Sequence, residues 1–239
     1  MKPTSLTVSA LLLSASFSNC TNTNKEKQIQ QVKIVDNYVP KYDTLAAHLV
    51  KTGYSNMFLY MDQNYADTFW FKGYNKSALM EIVQHRHYDD YARMLASEIL
   101  FYKQKDYPPK GLEDTLGYIY ARALFITGDT VHRYRLFGNQ WGLMYYDDDN
   151  VSDYGILGVH LMVAGKAAVP YLKELLNDNS ILVYEGSKEA TVGNGLHCRV
   201  KDAAAFYIGK IMNIPVDFHD EISEGDKDKE IEKLKKALE

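Results

Sequence analysis

The chain has 239 residues and a slight acidic excess, with 27 lysines and arginines against 31 aspartates and glutamates and a net charge of −4 at pH 7. This balance disfavours a nucleic-acid partner, which would call for a basic face that neutralises phosphates. The chain is long enough for one well-filled core or two small ones. Beyond the N-terminal region no stretch approaches ~18 consecutive apolar residues, so no spanning helix is expected there.

The first twenty residues have the pattern of an export signal. Lys2 precedes an apolar run over residues 6–15, which has the length of a secretory hydrophobic region. A mature spanning helix would need ~20 apolar residues. The next residues, Ser16-Phe17-Ser18-Asn19-Cys20, resemble the end of a bacterial lipoprotein signal. The resemblance implies that residues 1–19 are removed and that Cys20 becomes the lipidated first residue.

Two positions depart from the strict lipoprotein motif. That motif has an aliphatic residue three places before the cysteine and Gly or Ala directly before it, whereas this chain has Phe17 and Asn19. The alternatives are an ordinary signal peptide cleaved near Ser16 or Ser18, and an apolar helix that is never removed. The expected location is the bacterial cell envelope, with the protein anchored to a membrane by lipid, or secreted if Cys20 is not lipidated.

Residues 20–40 are predicted to form a polar tether between the membrane and the folded domain. The stretch 21–31 is rich in Thr, Asn, Lys and Gln and cannot bury a core. As a flexible coil it has a reach of roughly 20 Å. The tether would lift the domain clear of the lipid headgroups but keep it near them.

Helical periodicity predicts a mostly α domain over residues 41–225, followed by a charged amphipathic helix at 226–239. Asp89 or Asp90 is expected to cap a helix that carries Glu98 on a buried stripe. Other helices are expected at residues 43–53, 77–84, 112–126, from a cap at Ser152 or Asp153 to Gly165, 168–178 and 201–212.

Residues 165–178 resemble the second helix of a HEAT repeat, with a Gly turn, an apolar-Pro start and a Leu-Leu-x-Asp end. Residues 199–211 are similar to the first helix of a following repeat. Residues 79–96 show a weaker resemblance to the same repeat pattern. The resemblance implies an irregular HEAT-like α–α superhelix, because roughly twenty residues separate the two segments where a short turn is usual. Such folds present extended surfaces to other proteins.

The inserted residues 179–198 are the principal candidate for a functional site. Residues 181–184 are the best strand candidate, and Gly186, Gly193 and Gly195 indicate one elaborated loop or hairpin after them. The candidate interaction or ligand residues are Tyr184, Glu185, Glu189 and His197. The last three could also form an acid/base set.

Two further segments contain metal-ligand residue types. Asp147, Asp149 and Asp153 alternate as in a Ca²⁺ loop, but the sixth-position Gly and the twelfth-position Glu are missing. The His-rich residues 85–90 are interpreted as a loop that ends in a helix cap. The three aspartates stay weak candidates for a Ca²⁺-binding module, and no cofactor is expected.

Cys198 would be the only thiol of the mature chain, which excludes an internal disulfide, and we expect it to be buried. The chain has no nucleophile elbow, phosphate loop, dinucleotide fingerprint or H-E-x-x-H motif. The favoured hypothesis is a membrane-tethered lipoprotein whose helical scaffold binds another envelope protein. The alternatives are a small envelope hydrolase with its site at residues 179–198, or a Ca²⁺- or ligand-binding module at 147–153.

Overall fold

The computed structural model describes residues 41–59, 65–128, 135–142, 154–186, 188–218 and 222–239. Within these ranges the chain forms ten α-helices and no β-strand, apart from one isolated antiparallel bridge between Ile181 and Arg199. The prediction of a mostly α fold is therefore confirmed. The predicted signal, Cys20 and the tether lie outside the described residues.

The ten helices of the described ranges are α1 (Asp43–Tyr54), α2 (Tyr65–Trp70), α3 (Lys76–Gln84), α4 (Asp90–Lys103), α5 (Glu113–Gly128), α6 (Gly155–Ala164), α7 (Val169–Glu174), α8 (Lys188–Gly195), α9 (Val200–Met212) and α10 (Glu224–Ala237). Eight of the ten helices correspond to predicted segments, whereas α2 and α8 were not predicted. Short non-α turns lie at Ser55–Leu59, Phe71–Gly73, Gly138–Trp141 and Gly165–Ala168.

Helix α4 lies at the centre of the fold and packs against α1, α3 and α5. Its ten residues from Tyr91 to Leu100 are all buried, including the charged side chains of Arg93 and Glu98. Asp89 is the cap, since its side chain accepts hydrogen bonds from the backbone N–H groups of Tyr91 and Ala92. The polar side chains of Arg93, Ser97 and Glu98 therefore lie inside the helical core.

Small residues allow the helices to approach closely. Ala92, Ala96, Ala203 and Ala204 are fully buried. Gly117 in α5 touches the backbone of the turn before α7, because a Cβ at that position would lie 2.7 Å from Cα of Ala168.

Helix α10 is part of the core as well as the amphipathic surface helix that its sequence predicts. Ile231 and Leu234 are buried where α10 packs on α9. Below it, Arg199 pairs with Asp202, and Asp228 of α10 lies 2.9 Å from Nη2 of the same arginine. The last helix therefore covers a buried cation.

The strand expected at residues 181–184 does not form in the described structure, where a single antiparallel bridge joins Ile181 to Arg199, and the inserted segment contains the unpredicted helix α8. The Leu182 N–H donates to the Cys198 carbonyl at 2.7 Å, and the side chain of Asn194 in α8 bonds to the backbone of Tyr184. Its Oδ1 accepts from the Tyr184 backbone N–H at 2.9 Å, and its Nδ2 donates to the Tyr184 carbonyl at 3.0 Å. The Val183 carbonyl accepts from the Gly138 N–H. The backbone N–H and C=O of Tyr184 and the C=O of Val183 therefore have hydrogen-bond partners without a β-sheet.

Candidate functional site

The predicted site residues at 184–197 lie in different environments. Tyr184 is buried, with 2% of its surface exposed, which removes it from the side chains that a partner could contact. Glu185 and His197 are exposed, and His197 has a left-handed backbone with φ of 45°. Glu189 belongs to α8, but its side chain lies outside the described part of the structure. The proposed acid/base set stays a prediction.

Tyr184 is held between two glycines. A Cβ on Gly138 would lie 2.5 Å from Cε2 of the ring, and a Cβ on Gly193 would lie 2.4 Å from its Cγ. Neither glycine has a left-handed backbone, so their common role is to make space for the ring. The ring therefore locks α8 to the turn at Gly138–Trp141.

Replacing Gly193 by alanine is expected to destabilise the domain by about 1–3 kcal/mol, the usual cost of overpacking, because Gly138 stops the Tyr184 ring from moving away. Urea unfolding measures the change. Gly195→Ala is the matched control in the same helix, since no described atom lies within 4 Å of its added Cβ. Equal losses in the two variants would contradict the tight packing of Tyr184.

Among the segments with metal-ligand residue types, the His-rich residues 85–90 lie in the described part of the chain. The described ranges contain no group of three or more His, Cys, Asp or Glu side chains that could hold a metal ion. Asp147, Asp149 and Asp153 lie outside those ranges, so the Ca²⁺ hypothesis stays a prediction. Asp90, beside the cap Asp89, pairs with Arg93 at 3.1 Å and accepts a hydrogen bond from Tyr118.

Cys198 is buried, as predicted, with no exposed surface. Burial raises the pKa of its thiol to about 11, although the Lys227 ammonium, 3.6 Å from Sγ, acts in the opposite direction. A thiol with such a pKa is protonated at neutral pH and is a poor nucleophile. The structure therefore assigns Cys198 to the core.

A buried polar network that the sequence did not reveal joins α4, α5 and α6. Oε1 of Glu98 lies 2.6 Å from Nδ1 of His160 and 2.5 Å from the hydroxyl of Tyr120, which donates to it. Ser97 continues the network to Tyr107 and Tyr120 at 3.0 and 3.1 Å. Glu98 thus reaches from the central helix to the imidazole of α6.

The surroundings of this network act on Tyr120 and His160 in different ways. Burial, followed by the charge of Glu98, raises the pKa of Tyr120 well above its usual value, so the phenol keeps its proton and donates. The imidazole of His160 stacks on Phe101 with ring centroids 3.8 Å apart and planes 2° apart. With 17% of its side chain exposed, His160 links the buried carboxylate to the surface.

Helix α6 presents an apolar strip beside His160. Leu157, Leu161 and Ala164 are buried on its inner side. Ile156, Val159 and Val163 are 54%, 48% and 43% exposed. At 3.6 residues per turn these three lie within roughly 60° of arc. We call them the α6 face; His160 follows next around the helix.

The sequence of α6 explains why its surface was not predicted. Every residue except His160 is apolar or glycine, so no periodicity distinguishes an inner from an outer side. The longer segment Gly155–Glu174 has a mean hydropathy of 1.4, sufficient in length and composition for a membrane span, and 33% of it is buried. Core helices of water-soluble proteins meet the same criterion. The isolated His160 in an otherwise apolar helix was the one feature of the α6 sequence that could have indicated a functional role.

Comparison with known proteins identifies no relative. No protein-family model, no curated protein and no solved structure matches the chain.

Proposed function

We propose that this protein is an envelope lipoprotein, anchored through Cys20, whose helical domain binds another protein through the α6 face. The observation that carries the proposal is the exposure of Ile156, Val159 and Val163 on a helix that is otherwise apolar. Apolar side chains grouped at one place on a charged protein surface are typical of an interaction site.

The scaffold in this proposal is a divergent HEAT-like array. Helices that follow one another along the chain pack together, as in α3 with α4 and α5 with α6. Gly117 and the buried alanines provide the close helix approach that such arrays use. The short α7, with Pro170 in its first turn, and the helix α8 between the two best-matching segments are departures from a regular repeat.

The partner is a protein that presents an apolar strip, such as the apolar side of a helix. Covering the exposed halves of the three side chains would contribute roughly 1 kcal/mol each, from the usual value for full burial. Since association itself costs about 4–15 kcal/mol, the α6 face would form only the centre of the interface. Polar groups around it must complete the contact.

Site-specific photo-crosslinking of the full-length protein in the cell envelope tests this proposal. A photoreactive residue at Val159 or Val163 is expected to capture the same partner, identified by mass spectrometry. Val192, which is 39% exposed in α8, is the matched control position and should not capture it. With the purified partner, Val159→Asp should weaken binding about tenfold or more, as for a residue at the centre of an interface, while Val192→Asp leaves it unchanged.

Three results would contradict the protein-binding proposal. One is a crosslink pattern that is the same at all three positions, and another is no identified partner at Val159 or Val163. The third is a crosslinked product made of two copies of this chain, which would show self-association instead.

A hydrolase is the second candidate function, and the Glu98–His160 pair is the observation that favours it. A buried carboxylate on Nδ1 orients an imidazole for work as a general base through Nε2. In that case ester or peptide hydrolysis would be lost in His160→Gln and kept in Val192→Asp. The site would then lie at α6, away from the predicted residues 179–198.

A further inference from the structure

A second exposed apolar feature lies between α2 and α3, in residues 70–76, which we call the aromatic turn. Phe71 is 59% exposed and Tyr74 is 79% exposed, the largest value for a bulky apolar side chain in the described ranges. Their ring centroids are 5.4 Å apart, so the two rings project together from the surface. Such large aromatic surfaces are costly to keep in water.

The backbone of the aromatic turn is held in an unusual conformation. Phe71, Lys72 and Gly73 have successive φ angles of 44°, 54° and 90°, although only glycine adopts this region easily. Asn75 closes the turn by donating from Nδ2 to the Phe69 carbonyl at 2.8 Å. Strain of this kind persists where the surrounding structure enforces it, and it is concentrated at functional sites.

Trp70 forms the base of the turn. A Cβ on Gly73 would lie 3.4 Å from Cζ2 of the Trp70 ring, so the indole packs directly under the left-handed backbone. With the indole beneath it, the turn directs Phe71 and Tyr74 outwards. The arrangement is a fixed projection with aromatic tips.

The chemistry of the aromatic turn matches the surface of a lipid bilayer. Tyr and Trp favour the boundary between hydrocarbon and water, and Phe inserts at the same depth. Lys72 and Lys76 are exposed in and next to the turn and complement anionic headgroups. The nearest acidic side chain along the chain, Asp67, pairs with Lys103.

We propose that the aromatic turn inserts Phe71 and Tyr74 into the headgroup region of the anchoring membrane and so orients the domain on it. The inference relies on the lipid anchor of the proposed function only as the reason why a bilayer is near. The predicted tether ends where α1 begins, and its polar stretch reaches roughly 20 Å, so the domain stays within contact distance. The α6 face remains available to a protein partner.

Tryptophan quenching by brominated lipids tests the inference. The full chain, purified from membranes with its native N-terminus, is mixed with vesicles of brominated phosphatidylcholine and phosphatidylglycerol. Trp141 has no exposed surface and Trp70 is partly exposed, so quenching reports on the turn. We expect quenching of the wild type and its loss in Phe71→Ser/Tyr74→Ser. The control Ile181→Ser/Val192→Ser removes two exposed apolar side chains elsewhere and should keep the quenching.

Flotation of the same samples and the mass of the N-terminal peptide separate this proposal from the anchor. A wild type that floats with lipid on Cys20 but shows no quenching, or quenching equal to that of the turn variant, overturns the role of the turn and leaves the anchor intact. A wild type without lipid on Cys20 that still shows turn-dependent quenching rejects the anchor and supports the turn. Loss of quenching without phosphatidylglycerol would assign part of the contact to the lysines.

Discussion

Replacing Gly117 by alanine is expected to destabilise the domain by about 3 kcal/mol, at the upper end of the usual cost of overpacking. The added Cβ would lie 2.7 Å from Cα and 2.8 Å from the backbone nitrogen of Ala168. Side chains can change rotamer to relieve such a clash, but two backbones must move apart as whole elements. The better helix propensity of alanine, about 1 kcal/mol, is too small to offset this.

Equilibrium urea unfolding measures the effect, with the slope m checked for an unchanged denatured state. Gly225→Ala is the matched control, because Gly225 is also helical and the nearest described atom to its added Cβ is 3.9 Å away. The control should be neutral or slightly stabilised. A Gly117→Ala variant as stable as this control would show that α5 does not approach Ala168 so closely.

Replacing Asp202 by alanine is expected to cost about 3–5 kcal/mol, the usual loss when one partner of a buried ion pair is removed. Asp202 is fully buried, and its Oδ2 accepts from both the backbone N–H and Nε of Arg199 at 2.9 Å. Oδ1 accepts from Nη2 at 2.8 Å. The substitution would remove the carboxylate that accepts from the N-cap backbone of α9, and it would leave the buried guanidinium with only the more exposed carboxylates of Asp228 and Glu224.

Thermal and urea unfolding of Asp202→Ala and Asp202→Asn distinguish how much the charge of the Asp202 side chain and how much its size contribute to stability. The amide keeps the size of the carboxylate but loses its charge, so it should lose most of the same stability. Glu232→Ala removes a carboxylate that pairs with Lys235 on the exposed side of α10, and it should change stability by ~1 kcal/mol or less. Comparable losses in the buried and exposed pairs would refute the assigned role of Asp202.

The sequence predicted the helices best where local chemistry marks their ends. Asp89 caps α4, Gly128 is the last residue of α5 and Pro215 follows α9, because caps, glycines and prolines act on their immediate neighbours. The helix α8 was missed because its glycines indicate a loop. One of them, Gly193, is required by the Tyr184 ring, and the carboxamide of Asn194 then binds the extended backbone. The helical periodicity of the sequence does not reveal these contacts.

The candidate site was less predictable than the fold, for a related reason. Glu98 was assigned to the buried side of a helix, but nothing local indicates that it meets His160, since the two residues are 62 positions apart. The sequence of the nearly all-apolar helix α6 also does not indicate which of its sides is exposed. Conversely, Tyr184 looked available because the glycine that covers it, Gly138, lies far away along the chain.

The position of α10 over Arg199 and Cys198 has a consequence for how the protein is made. A nascent chain that has left the ribosome only as far as α9 has the arginine and Asp202 but lacks Asp228 and the apolar residues that shield them. Its core is then open to water on the side that α10 covers in the folded domain. The core around Arg199 and Cys198 is therefore complete only after α10 has been synthesised and has packed onto α9.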